Sequence, residues 1–221
     1  MIVQVSPLVE SGAVDACLEA DVDHLVVPVA TDDRPGSVSV DRATDLLATV
    51  PAGHTGVVST TADDVDVVLE KARSIEPDVL CVAADRMELP PADLFDVREG
   101  LPAGTDLMRS ITVEGRGVVY PAMALHSLVD WLVLESNPPD ETEDHEFDRP
   151  HPWEVCADIV DELATPCILG GDVTPATVSE AIETVRPAGV ALSLERGGAA
   201  PVEAETIETF VANARETAPA E

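Results

Sequence analysis

The densest run of chemically useful residues lies late in the chain, at Ile168-Leu169-Gly170-Gly171-Asp172-Val173-Thr174-Pro175. Bare glycines let backbone N–H groups approach an anion closely, and a helix start favours negative charge. Thr174 is placed to cap such a helix, and Pro175 suits its first turn. The run reads either as a phosphate grip or as a tight strand-to-helix turn that holds nothing. The carboxylate of Asp172 argues against an anion. A second run, Ser193-Leu194-Glu195-Arg196-Gly197-Gly198, offers the other half of a cradle. Its Arg196 either clamps phosphate through a forked guanidinium or pairs with surface acids. His145 and His151 lie in the polar stretch 137–152 and serve there as a base or as decoration of a solvated loop. Cys17, Cys81, Cys156 and Cys167 lack CxxC spacing, and each sits in an apolar run. They read as small core residues of a reduced, cytoplasmic protein rather than as metal ligands or disulfides. No metal and no cofactor is expected.

These groups need a scaffold to bring them together. Short apolar runs fall at Ile2–Val5, His24–Val29, His54–Ser59, Asp78–Val82, Asp106–Val113, Trp131–Leu134, Cys167–Leu169 and Val190–Leu194. Helical patterns follow them in turn, over Ser11–Ala20, Val40–Thr49, Ala62–Ile75, Pro91–Glu99, Ala122–Leu128, Trp153–Leu163, Pro175–Val185 and Val202–Ala214. Strict alternation of this kind predicts parallel βαβ units. The expected fold class is α/β: a (β/α)8 TIM barrel, one domain over residues 1–215, with a frayed tail at 216–221. The rival doubly wound sheet usually carries a GxGxxG turn after its first strand, and none is present. A barrel's site lies at the C-terminal ends of its strands. That directs attention to Ser6, Arg34, Ala83–Arg86, Arg109, Glu135–Pro152, Gly170–Pro175 and Ser193–Gly198.

Charge narrows the partners. The formal net charge is -31, from 43 acidic and 12 basic residues, and Lys71 is the sole lysine. Such a chain repels nucleic acid and anionic membrane surfaces. The acids are dispersed between ordinary apolar segments, not gathered in a tail. That pattern fits molar salt, where the screening length falls to roughly 3 Å and self-repulsion is tolerable. No apolar stretch approaches the ~20 residues of a membrane span. No basic-then-apolar leader opens the chain. The expectation is a halophilic cytoplasmic protein; its oligomeric state is not legible here.

The late motifs resemble those of the phosphoribosylanthranilate isomerase family. That family has a strand ending Leu-Ala-Gly-Gly-Leu before a Pro-Glu-Asn-Val helix start, matched here by Leu169–Val178. Its Ser-Ser-Gly-Val-Glu eighth strand is matched by Ala191-Leu192-Ser193-Leu194-Glu195, and its Leu-Leu-Asp-Ser sixth strand by Val133-Leu134-Glu135-Ser136. Its Phe-Asp-Trp corresponds to the region of Trp153. The opening Lys-Ile-Cys-Gly-Leu falls on Gln4-Val5-Ser6-Pro7-Leu8, and Ser-Pro-Arg-x-Val-Ser resembles Arg34–Ser39. The chain is thus identified as a divergent, haloarchaeal-type member, with the likeness spanning most of its length.

The resemblance implies an Amadori-type isomerisation of N-(5-phosphoribosyl)anthranilate in tryptophan biosynthesis, with a small phosphorylated sugar as substrate. The family's cysteine base then falls on Ser6 and its aspartate acid on Glu135. Arg34, Gly170, Gly171, Ser193 and Arg196 are implied as substrate- and phosphate-binding residues. Three departures touch the chemistry. Serine is a far weaker acid than cysteine. Glutamate moves its carboxyl by one methylene, and misplacement on the order of 1 Å can cost a hundredfold. Gly36 stands where the family has its anthranilate-contacting arginine. The alternatives are a catalytically impaired paralogue that binds a phosphorylated ligand or partner, and another phosphosugar isomerase or lyase on the same scaffold.

Overall fold

The protein is described from a computed structural model covering residues 1–29, 36–83, 89–136, 152–194 and 204–218. Eight strands alternate with helices along the chain: β1 Ile2–Ser6, α1 Ser11–Glu19, β2 His24–Pro28, α2 Val40–Leu47, β3 Thr55–Thr60, α3 Val65–Ile75, β4 Val79–Val82, α4 Pro91–Gly100, β5 Asp106–Val113, α5 Val119–Leu125, β6 Trp131–Ser136, α6 Pro152–Glu162, β7 Cys167–Gly171, α7 Val178–Val185, β8 Gly189–Ser193 and α8 Ala204–Thr217. Every neighbouring pair of strands is parallel, and β8 returns to β1, so the sheet closes into the expected barrel.

Alternation along each strand sorts the side chains into two cores. Val26, Val57, Val79, Cys81, Met108, Val133, Ile168 and Ala191 fill the barrel interior. Val3, Val5, Leu25, Val58, Leu80, Leu107, Leu132, Leu134, Leu169, Val190 and Leu192 face outward, against the helices. Burying each such aliphatic side chain contributes about 1.5–3 kcal/mol, so the fold manages with few aromatics. The helices follow the usual signals. Asp64 accepts the Val67 N–H to cap α3, whose Val68, Leu69, Ala72 and Ile75 face the core. Ser39 caps α2 by accepting from the Arg42 N–H.

The interior floor, away from the mouth, is polar. Gln4 and His24 lie side by side in the β1–β2 register, both buried. The His24 ring meets Trp131 edge-on, with centroids 5.4 Å apart. Burial holds the His24 imidazole below its ordinary pKa, while Asp23 and Asp106 pull it upward. On the outside, Arg215 of α8 donates to Met1 O, to Asp21 O at 3.2 Å and to Asp23 Oδ2 at 2.8 Å. All four cysteines are free and buried.

Some boundaries differ from expectation. Helix α5 begins at Val119, after a short 3-10 turn at Arg116–Val118, and ends at Leu125; Val118 and Val119 pack against the core and extend the apolar pattern N-terminal to Ala122. Helix α8 runs through Thr217, so Glu216 and Thr217 belong to it rather than to a frayed tail. There Thr217 Oγ1 donates to Asn213 O or to Ser179 Oγ, both at 2.9 Å.

Candidate active site

The inward positions at the C-terminal ends of the strands form the mouth. They are Ser6 on β1, Pro28 on β2, Ser59 on β3, Ser110 and Thr112 on β5, Glu135 on β6, Gly170 on β7 and Ser193 on β8. The register aligns them across neighbouring strands: Ser6 with Ser193, Pro28 with Ser59, Thr112 with Glu135, and Glu135 with Gly170. Ser6, Ser59, Ser110, Glu135 and Ser193 are half-buried, open to solvent at one end. The mouth is a ring of hydroxyls around a carboxylate, set above an aliphatic plug.

Four of the residues singled out in the sequence therefore converge: Ser6, Glu135, Gly170 and Ser193. Ser59, Ser110 and Thr112 were missed, although a period of two through Val57 and Ser59 on β3, and through Met108, Ser110 and Thr112 on β5, signals them. Arg34 and Arg196 lie outside the described residues, as do His145 and His151 of the acidic loop. Arg109, also on the list of strand-end groups, is buried at 1% exposure and pairs in register with the outward-facing Val82 and Leu132. It turns away from the mouth and donates to Val82 O at 3.4 Å.

Among the described residues of the mouth, Glu135 is the charged one. A Cβ built on Gly170 would stand 3.1 Å from Glu135 Oε2 and 3.4 Å from the Ala191 Cβ, so the carboxylate lies over bare backbone, toward β8. Its field reaches the interior. Burial pushes the Cys81 thiol up to about 12, with Glu135 adding to the shift and Arg109 opposing it. That thiol stays protonated and is no substitute for a reactive cysteine. Ser6 precedes a cis Ser6–Pro7 peptide, and its carbonyl accepts the Leu194 N–H at 2.7 Å. Among the described residues, none hydrogen-bonds to Ser6 Oγ.

The glycine pair sits differently from the sequence reading. Both glycines end β7 rather than form a turn, and Gly171 takes a φ of +82°. A Cβ there would be 2.6 Å from Ser136 N and closer still to its carbonyl, so only glycine fits. Thr174 does not cap a helix, and Pro175 is not in a first turn. The N–H groups of Thr177 and Val178 both bond to Thr174 O, and the Thr174 N–H bonds to Thr177 Oγ1 at 3.0 Å. These bonds close a separate turn and postpone α7 to Val178. An anion at this corner would be met by strand amides and not by the helix start.

One of those amides, the Gly171 N–H, is well directed. Ser136 Oγ donates to Gly170 O at 2.8 Å, from the β6 side. In a trans peptide the C=O and N–H point opposite ways, so the Gly171 N–H points toward β8. The β7–β8 pairing ends at Leu169 with Val190, whereas β8 pairs with β1 as far as Ser193 with Ser6. Beyond Leu169 the edges of β7 and β8 part, and the Gly171 N–H faces the gap. Leu192 does not block it, since that side chain packs outward among the helices. Asp172 is half-buried, with its N–H bound to Ser136 O at 2.9 Å, on the β6 side of the gap.

No family model matches the chain. Individual relatives do. It is 30% identical over 206 residues to an N-(5'-phosphoribosyl)anthranilate isomerase of Haloferax volcanii, covering 92% of this chain and 87% of that protein. It is 31% identical over 165 residues to the enzyme of the same name from Halobacterium salinarum, covering 74% of this chain and 70% of that one. Among solved structures, phosphoribosyl anthranilate isomerase from Thermotoga maritima superposes with a TM-score of 0.81 at 16% identity, covering 98% of this chain and 100% of that one.

Proposed function

The chain belongs to the phosphoribosylanthranilate isomerase family, and from that premise we propose that it isomerises N-(5'-phosphoribosyl)anthranilate in tryptophan biosynthesis, with Glu135 as general acid and Ser6 at the position of the base. The observation that carries this reading is the meeting of Glu135 with the opening between β7 and β8 at one mouth. Gly170, Gly171 and Ser193 border that opening, which suits the phosphate of a small sugar substrate. Arg34 and Arg196 are assigned to substrate and phosphate by their place in the sequence alone.

The chemistry asks for a proton delivered to the ribose ring oxygen as the ring opens, then a proton taken from C2 of the resulting imine. Glu135 is sited for the first task. Its carboxylate is half-buried at the mouth, over an aliphatic interior, with one end open to a bound sugar. Ser6 stands for the second, and the lack of a described partner on Oγ favours a slow enzyme or a binding-only paralogue as the second reading. The Haloferax and Halobacterium relatives are haloarchaeal, and the four buried free thiols support a reducing cytoplasm. Among the described residues, no helix is long and apolar enough to cross a membrane.

Purified protein in molar KCl, given the freshly formed substrate, should consume it, read as loss of anthranilate fluorescence. Growth of a tryptophan auxotroph lacking the isomerase, restored by this gene and abolished by Glu135→Ala, is the cellular counterpart. Substrate binding without turnover would establish the paralogue instead.

A further inference from the structure

We infer that Ser136, held by Trp153, is a positioning residue for the phosphate grip, because it sets the direction of the Gly170–Gly171 peptide. This rests on the reading that phosphate sits between β7 and β8. Ser136 is the last residue of β6 and only 1% exposed. Alternation turns its side chain outward, away from the mouth, so it touches no substrate.

The hydrogen bonds around it have a fixed polarity. Trp153 Nε1 lies 3.3 Å from Ser136 Oγ. An indole N–H can only donate, so the hydroxyl accepts from it and its own proton is directed to Gly170 O, 2.8 Å away. Trp153 lies in the first turn of α6 and is itself buried, so the relay is anchored outside the sheet. With Gly170 O held toward β6, the Gly171 N–H is held toward the gap beside β8. Two further contacts resist a flip of that peptide. The Asp172 N–H bonds to Ser136 O at 2.9 Å, and Gly171 packs directly on the Ser136 backbone. The phosphate donor is thus aimed by residues on the far side of the sheet.

The probe is inorganic phosphate as a competitive inhibitor of turnover in molar KCl, with kcat and KM measured separately. Ser136→Ala removes the relay and leaves Trp153 Nε1 without that acceptor. Its phosphate inhibition constant and KM should both rise about five- to tenfold, the worth of one hydrogen bond, while kcat stays within about twofold. Ser136→Thr keeps the hydroxyl and should restore wild-type values. Trp153→Phe should move both constants in the same direction by less. The inference is overturned if Ser136→Ala leaves the inhibition constant and KM unchanged. It is equally overturned if kcat alone falls, or if Tm drops with no change in KM. Failure of phosphate to compete in the wild-type protein would instead take down the phosphate corner, and this role with it.

Discussion

The carboxylate of Glu135 lies over the α-carbon of Gly170, where a Cβ would stand 3.1 Å from Oε2. A methyl group at residue 170 would displace the acid by a few tenths of an ångström. Gly170→Ala should therefore lower kcat about tenfold, given the sensitivity of proton transfer to placement. The shorter acid in Gly170→Ala/Glu135→Asp should recover part of that loss. Steady-state kcat in molar KCl decides it: a double variant no better than the single one makes the contact incidental. Glu135→Gln should cost a hundredfold or more, because the acid itself is gone.

Ser6 offers a gain-of-function test. A thiol ionises near pH 8.5, several units below an alcohol hydroxyl. Ser6→Cys should raise kcat by about tenfold or more and add a limb to the pH–rate profile in the thiol range. A flat response would remove Ser6 from the proton chemistry.

His24 makes stability depend on pH. Burial lowers its pKa in the folded state, so the folded protein resists the proton that the unfolded chain accepts from about pH 6.5 downward. The unfolded state then binds more protons, and stability falls as pH drops below about 6.5, until the lower folded pKa is passed. Above that window His24 contributes no slope. Urea midpoints between pH 7 and pH 5 should fall for the wild type and fall less for His24→Gln. Equal slopes would assign the acid loss to carboxylates alone.

Salt should act on the whole surface. With a net charge of -31 the folded chain repels itself, and molar KCl shortens the screening length to roughly 3 Å. Tm should climb steeply between 0.1 M and 2 M KCl, by roughly ten degrees or more for a few kcal/mol regained. A melting curve indifferent to KCl would refute salt adaptation.

Much of this was legible before any coordinates. The strand β5, Asp106–Val113, was read to its ends because its aliphatics, bounded by turn residues, leave no other choice. Gly170 stood out through its glycine run, and Glu135 through the family resemblance at the end of β6. What failed did so for local reasons. Thr174 and Pro175 resemble a helix start in one dimension, but the Thr177 hydroxyl closes a turn first, a competition that composition does not reveal. The importance of Ser136 was hidden because its partner, Trp153, lies on the next helix, and its target, Gly170 O, is backbone. Arg109 was only a residue to inspect near the strand ends; it sits within β5, and its register turns it outward.

The Arg215 clamp on Met1, Asp21 and Asp23 has an engineering consequence. It seats the last helix beside the first residue, at the base of the barrel. Met1 and the Arg215 end of α8 are therefore neighbours on the side opposite the mouth. A short linker could fuse them and new ends could be cut in a helix-to-strand connection at that same base, reordering the gene while leaving each strand-to-helix loop intact.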